Sequence, residues 1–316
     1  MPLPAQFAIV IGLSLALLPA VCAEQPSGLE LKPHWKVGEK LRYEMIRAQS
    51  RDTNGKVVRG GSRAPVDVEV IAAGEAGFVV RWRLGETVSD DPKAANNPVF
   101  QAMTKLTAGM KVDLEISPDG RLLGIENWKE LQKTGKQIQE TVLEELAEGN
   151  LPKTAIEALR AETDKLFANR ESVEASFTRH PALLVIPLGQ TYDKANPAIS
   201  EVDLANPFGG EPIPAVGEFL LKSHDSETGL ATVTFTQKPD PKKLKRVLEK
   251  SLRDLAKRLG KNMDGVTLPA FDMTDEAEYA VETKTGWVRR VVHTRRTQTG
   301  TSVATETTTL TRRDQK

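Results

Sequence analysis

Lys111-Val112-Asp113-Leu114-Glu115-Ile116-Ser117-Pro118-Asp119-Gly120-Arg121-Leu122-Leu123-Gly124-Ile125 reads as a β-hairpin. Val112, Leu114 and Ile116 alternate with charged residues, the period of two expected of a strand half-buried on one face. Ser117-Pro118-Asp119-Gly120 is a turn tetrapeptide, and Leu122 to Ile125 carries the chain back. The pair is therefore antiparallel, with one apolar face that other elements have to cover.

The same alternation extends upstream. Leu41, Tyr43 and Met45 alternate with Arg42 and Glu44; Val66, Val68 and Val70 with Asp67 and Glu69; Phe78, Val80, Trp82 and Leu84 with Arg81 and Arg83. A helix is expected between Asn96 and Thr107. The last third repeats this order at a nearly constant offset. Gly38 followed by Tyr43 corresponds to Gly189 followed by Tyr192, and the strand at Val66 to Ala72 to Phe219, Leu221 and Ser223. Gly77 and its strand match Gly229 with Val233 and Phe235, and Asp91-Pro92 before a helix matches Asp240-Pro241. Thr285-Gly286 then stands where the Gly120 hairpin stood. A tandem duplication accounts for this spacing.

Between the halves the pattern turns helical. Asn127 is placed to cap a helix with Glu130 three residues on, and Trp128, Leu131, Ile138, Val142 and Leu146 make one apolar stripe. Gly149-Asn150 ends it, Pro152 opens the next, and Ile156, Leu159, Thr163, Leu166 and Phe167 continue an apolar face up to His180-Pro181. The fold expected is α+β: two related antiparallel β lobes, half-barrel-like, each with a packed helix, joined by a helical segment. The boundaries are a leader at 1–23, lobes at 24–126 and 183–316, and a connector at 127–182. Pro187 to Gly217 holds five of the 19 prolines, including the Asn206 to Pro212 run, and reads as an irregular connection.

Met1 to Ala23 carries no charged side chain, and Phe7 to Leu18 is almost unbroken apolar sequence. With Val21 and Ala23 before the first charge at Glu24, this reads as a secretory signal peptide cleaved near Ala23, too short for a comfortable membrane span. Cleavage there removes Cys22, the single cysteine. Lipid anchoring at Cys22 is the weaker reading, because Pro19 and Val21 stand where lipoprotein signals favour Leu and a small residue. The expected location is periplasmic or secreted. The 43 basic and 43 acidic residues cancel, which argues against a nucleic-acid partner.

The chain offers no catalytic signature. Ser223-His224-Asp225 are neighbours on one strand, so they point to opposite faces and cannot converge as a triad. His34, His180, His224 and His293 show no metal-ligand spacing. Asp272, Asp275, Glu276 and Glu278 read as a solvated approach to a strand, and no metal or cofactor is expected. Asp240 to Lys261 carries an apolar stripe (Leu244, Val247, Leu248, Leu252, Leu255, Leu259) opposite a basic face. The stripe is expected to pack on a sheet, with peripheral contact to an anionic membrane as the other use. Arg289, Arg290, Arg295, Arg296, Arg312 and Arg313, among many threonines, read as a solvated outer strand face.

A leader, long alternating antiparallel strands and helices inserted between hairpins together resemble the LolA/LolB-type periplasmic half-barrel proteins. The resemblance concerns layout and implies a curved sheet, covered by helices, that holds acyl chains. The function expected is non-catalytic binding in the bacterial envelope, first of an apolar or lipid-like ligand. The lining residues would be Val80, Trp82, Leu84, Leu114, Ile116, Phe219, Leu221, Val233, Phe235, Tyr279 and Val281. The alternative is a structural or adaptor protein that binds envelope proteins or polysaccharide, with Phe208 and its Pro-rich loop as contact. An unrecognised hydrolase ranks last.

Overall fold

The computed structural model describes residues 28–148, 152–204, 213–258 and 270–313. The leader with Cys22, Gly149-Asn150, the Asn206 to Pro212 run with Phe208, and Leu259 to Lys261 lie outside the described residues, as do the side chains of Leu248, Leu252 and Leu255. The chain runs β1 (Leu29–Leu31), β2 (Lys40–Thr53), β3 (Lys56–Gly74), β4 (Gly77–Leu84), β5 (Val88–Ser89), α1 (Pro92–Ala95), α2 (Pro98–Thr107), β6 (Lys111–Ile116) and β7 (Leu122–Ile125). Then come α3 (Trp128–Glu148), α4 (Lys153–Thr163) and α5 (Arg170–Phe177). The chain continues as β8 (Gln190–Tyr192), β9 (Ala198–Leu204), β10 (Ile213–Asp225), β11 (Leu230–Pro239), α6 (Pro241–Arg258), β12 (Phe271–Glu282), β13 (Val288–Thr299) and β14 (Ser302–Arg313).

The fold is α+β and mostly antiparallel sheet. One open sheet takes the order β7-β6-β4-β3-β2-β14-β13-β12-β11-β10-β9, with β5 against β3, and β1 pairs with β8 in a separate ribbon. The two sequence halves meet where β14 pairs with β2, from Ser302 opposite Thr53 to Arg313 opposite Arg42. A single sheet therefore continues across the junction.

The Lys111 to Ile125 hairpin forms with Leu114 opposite Ile125. Its turn is closed by the Gly120 N–H donating to the Ser117 carbonyl at 2.9 Å. Gly120 has φ of 101°, and a Cβ there would lie 2.5 Å from Leu188 Cβ, so the turn requires glycine twice over. β3 is far longer than the Val66 to Ala72 pattern implies, because it pairs with β2 down to Lys56 opposite Thr53.

Alternation sends Tyr43, Val66, Val68, Val70, Val80, Trp82, Leu114 and Ile116 to one face, which we call the inner face, where they join a single buried cluster. Helices cover this face: α3 contributes Leu131, α5 contributes Val173, and a single turn at Pro181–Leu184 contributes Leu183 and Leu184. Trp35 stacks on Trp287 with centroids 4.2 Å apart. The Trp287 indole N–H donates to Glu39 Oε1 at 2.8 Å, and the Tyr43 hydroxyl donates to the Val288 carbonyl at 2.7 Å. Each large apolar side chain buried this way stabilises by about 1.5–3 kcal/mol.

Two local details depart from the sequence pattern. Asn127 meets Glu130 at the start of α3, its Nδ2 donating to Glu130 Oε2 at 3.2 Å, but the rest of its side chain is used elsewhere. Its Oδ1 accepts the Asp113 N–H at 3.0 Å and its Nδ2 donates to the Lys111 carbonyl at 3.1 Å, tying the helix start to β6. The free edge of β7 is covered by α5: the Ile125 N–H donates to Glu174 Oε1 at 2.9 Å, and Arg170 donates to the Ile125 carbonyl at 3.2 Å. An edge satisfied by side chains is closed to further strands.

On α6, Asp240 accepts the N–H groups of Lys242 and Lys243 at 2.9 and 2.8 Å. Leu244 and Val247 pack on Ile213 in a second, smaller core with Leu204 and Phe271 at its margin. The basic residues from Lys242 to Lys257 face water.

Candidate functional site

The inner face brings the eleven expected lining residues together, and fills the space between them. Val80, Trp82, Leu114, Ile116, Phe219, Leu221, Val233, Phe235, Tyr279 and Val281 are all buried in the main cluster, and Leu84 packs against its margin. Phe219 and Phe235 are in ring contact at 4.7 Å, and Tyr192 meets Phe219 edge-on at 6.3 Å. None of the eleven lines the cavities beside Pro214 and Lys243, Lys40 and Arg83, Asp225 and Arg289, or Arg47 and Arg59.

Further along the same strands the inner face changes chemistry. On β2 the inward series continues from Tyr43 and Met45 to Arg47, Gln49 and Arg51. On β3, opposite, it passes from Val66 and Ala64 to Ser62, Gly60 and Val58. On β14 it passes from Leu310 to Thr308, Glu306 and Ala304, facing His293, Arg295 and Thr297 of β13.

These residues form an ionic belt beside the apolar core. Asp275 is 2% exposed. It accepts two hydrogen bonds from Arg295, Nε at 2.7 Å and Nη2 at 2.8 Å, and lies 3.1 Å from His293 Nε2. Burial opposes its charge, but His293 and Arg295 overcome that and hold the carboxyl below its ordinary range. Glu306 accepts from Arg47 at 3.0 Å and Arg179 at 2.8 Å; against the cost of burial these arginines keep it ionised. His180 sits among them. Burial, reinforced by Arg47 and Arg179, pushes its pKa down to about 3, so it is neutral at physiological pH. Among the described residues, His180 Nε2 and Arg47 Nε are buried without a hydrogen-bond partner.

Two expectations are corrected here. Asp275 is not part of a solvated strand approach, and the C-terminal arginines do not share one outer face. The period of two makes both impossible: Arg295 and Arg296 are neighbours on β13, so one must point inward. Arg295 does, as does Arg312, which pairs with Glu282.

Beyond the belt lies a cavity of about 750 Å³ between the β2–β3 hairpin, β13–β14 and the α1–α2 segment. Small residues make its floor: Gly60, Gly61, Ser62 and Ala304. A Cβ on Gly61 would sit 2.7 Å from Asp90 Oδ2 and 3.2 Å from the Arg47 carbonyl. Val58, Ala94 and Phe100 supply apolar wall, and Arg47, Arg51, Arg59, Arg295, Asp91 and Glu306 supply charge. The volume falls within the range of small-molecule sites, and so does the mixture of apolar wall and a few polar groups. Among the described residues no cluster of three or more His, Cys, Asp or Glu side chains is placed to hold a metal ion.

These site residues escape the sequence reading because Arg59-Gly60-Gly61-Ser62 breaks the apolar alternation. The usable signal is the glycine pair inside a strand, which marks a place where bulk is excluded. Ser223-His224-Asp225 ends β10, and Asp225 closes the following turn by accepting from Glu227 and Thr228 N–H at 2.9 and 3.2 Å. No described helix is long and apolar enough to cross a membrane. The chain matches no protein-family model and no curated protein.

Proposed function

We propose that the protein is a non-catalytic binding protein of the bacterial envelope, exported by its leader, and that its ligand is a lipid-like amphiphile held in the inner-face cavity. The observation that carries this reading is the change along one sheet face, from filled apolar core to ionic belt to open cavity. The eleven core residues support the sheet behind the site. The apolar wall at Val58 and Phe100 suits a chain, and the arginines beside it suit a polar head. The Asp275 and Glu306 carboxylates are both engaged by side chains of the belt, which favours a binding role over a reaction.

The layout also supports reading the two halves as related units. Each places a helical insert between the middle pair of four neighbouring strands: β3, β4, then β5 and α1–α2, then β6, β7; and β10, β11, α6, β12, β13. The exposed basic face of α6, whose apolar residues Leu244 and Val247 are already packed, supports peripheral contact with an anionic membrane.

Native mass spectrometry of the protein purified from a bacterial periplasm, with organic extraction of the same sample, tests the binding role. We expect a co-purifying amphiphile that is lost in Ser62→Phe, which fills the cavity floor. A bare polypeptide mass for the unmodified protein, persisting after incubation with a total lipid extract, would overturn the reading.

A further inference from the structure

Within the binding role proposed above, on which this step rests, we infer that the cavity selects an amphiphile with an anionic head, a carboxylate or phosphate, and that Arg51 with Arg47 and Arg295 receives it. Four arginines and two carboxylates line the cavity. With the residues that pair them, Arg179 on Glu306 and Asp275 on Arg295, and with Asp90 behind Gly61, five arginines face four carboxylates, one excess positive charge. The carboxylates are also committed. Glu306 is shared between Arg47 and Arg179, and Asp91 accepts the Lys93 N–H at 2.9 Å at the start of α1.

The arginines are not equally committed. Arg295 is locked by Asp275 through two of its nitrogens, which fixes the guanidinium of a side chain that lines the cavity. Arg47 spends Nη2 on Glu306 and keeps its Nε buried, so only the outer end of its guanidinium is left for a ligand. Arg51 follows on the same strand face and carries no ion pair among the described residues. Unmet guanidinium donors converging on a cavity of this size are recognition elements for a planar or tetrahedral anion, since charge-assisted hydrogen bonds are the stronger kind. The apolar wall at Val58 and Phe100 lies in the same cavity, so a chain and a head can both be satisfied.

The test is isothermal titration of the mature protein with laurate, dodecyl phosphate, dodecanol and acetate, each below its aggregation limit, repeated on Arg51→Gln and on Ser62→Phe. The expected result is that laurate or dodecyl phosphate binds about tenfold or more tightly than dodecanol. Arg51→Gln should remove most of that difference, weakening laurate and dodecyl phosphate more than dodecanol, and Ser62→Phe should weaken all three. Preference between laurate and dodecyl phosphate identifies the head group. Equal binding of laurate and dodecanol would overturn the anion inference and leave the amphiphile role standing. Binding of none of the three chains would overturn both. Acetate binding as tightly as laurate would overturn the amphiphile role and leave anion recognition.

Discussion

Replacing Asp275 with Asn removes one charge from the belt and keeps the side chain's shape. The carboxylate is 3% exposed and holds Arg295 through two bonds of 2.7 and 2.8 Å, with His293 Nε2 at 3.1 Å. Breaking a buried pair by removing one partner costs about 3–5 kcal/mol, because the other charge stays behind. Arg295 is 31% exposed, so water screens part of that loss, and we expect about 2–3 kcal/mol. Urea unfolding followed by tryptophan fluorescence measures it, since Trp35, Trp82 and Trp287 are all buried in the main core. The double variant Asp275→Asn with Arg295→Met should lose less than the sum of the singles by about 1 kcal/mol or more. The pH dependence follows the lowered carboxyl. Its contribution is present above the ordinary carboxylate pKa and is lost as pH falls through the lower folded value, so wild type and Asp275→Asn should converge in acid. A loss below about 0.5 kcal/mol, or strict additivity in the double variant, would refute the argument that this pair holds the belt together.

Other outcomes follow from the same structure. His180 is neutral when folded, with a pKa of about 3 against 6.5 unfolded. Stability should therefore fall as pH drops below 6.5, by up to about 1.4 kcal/mol per pH unit, and His180→Asn should flatten that slope in urea titrations between neutral pH and the carboxylate range; an unchanged slope would exclude His180 as its source. Trp287→Ala removes the stack on Trp35 and should cost about 3–5 kcal/mol, read as a lower urea midpoint. Glu174→Ala takes the acceptor from the Ile125 N–H and should cost about 1–2 kcal/mol, with faster hydrogen exchange at that amide; unchanged exchange there would show that α5 does not protect the edge.

Much of the strand framework was legible in the sequence, because apolar alternation reports directly on which face is covered. The hairpin at Gly120 and the strands around Tyr43, Val68 and Trp82 were all visible in this way. The junction of β2 with β14 was not, since pairing between residues as distant as Arg42 and Arg313 leaves no local trace. The same limit hid the belt. Asp275, His293 and Arg295 look like ordinary polar residues until the β12–β13 register sets them side by side. The site itself lies where alternation fails. Arg47, Gly60, Gly61 and Ser62 carry the strands on with residues that pack poorly, so periodicity stops marking the inner face at the point where the cavity opens. Asn127 shows a smaller version of the problem: besides meeting Glu130 as its spacing implies, it ties the helix start to β6.

What occupies the inner-face cavity decides the function. Anomalous diffraction from crystals grown with a bromine-labelled fatty acid locates the ligand directly. We expect a bromine peak near Val58 and Phe100, with the carboxylate toward Arg51 and Arg295. Bromine within the core between Phe219 and Phe235, or an empty cavity in crystals whose surface binds the label elsewhere, would contradict it.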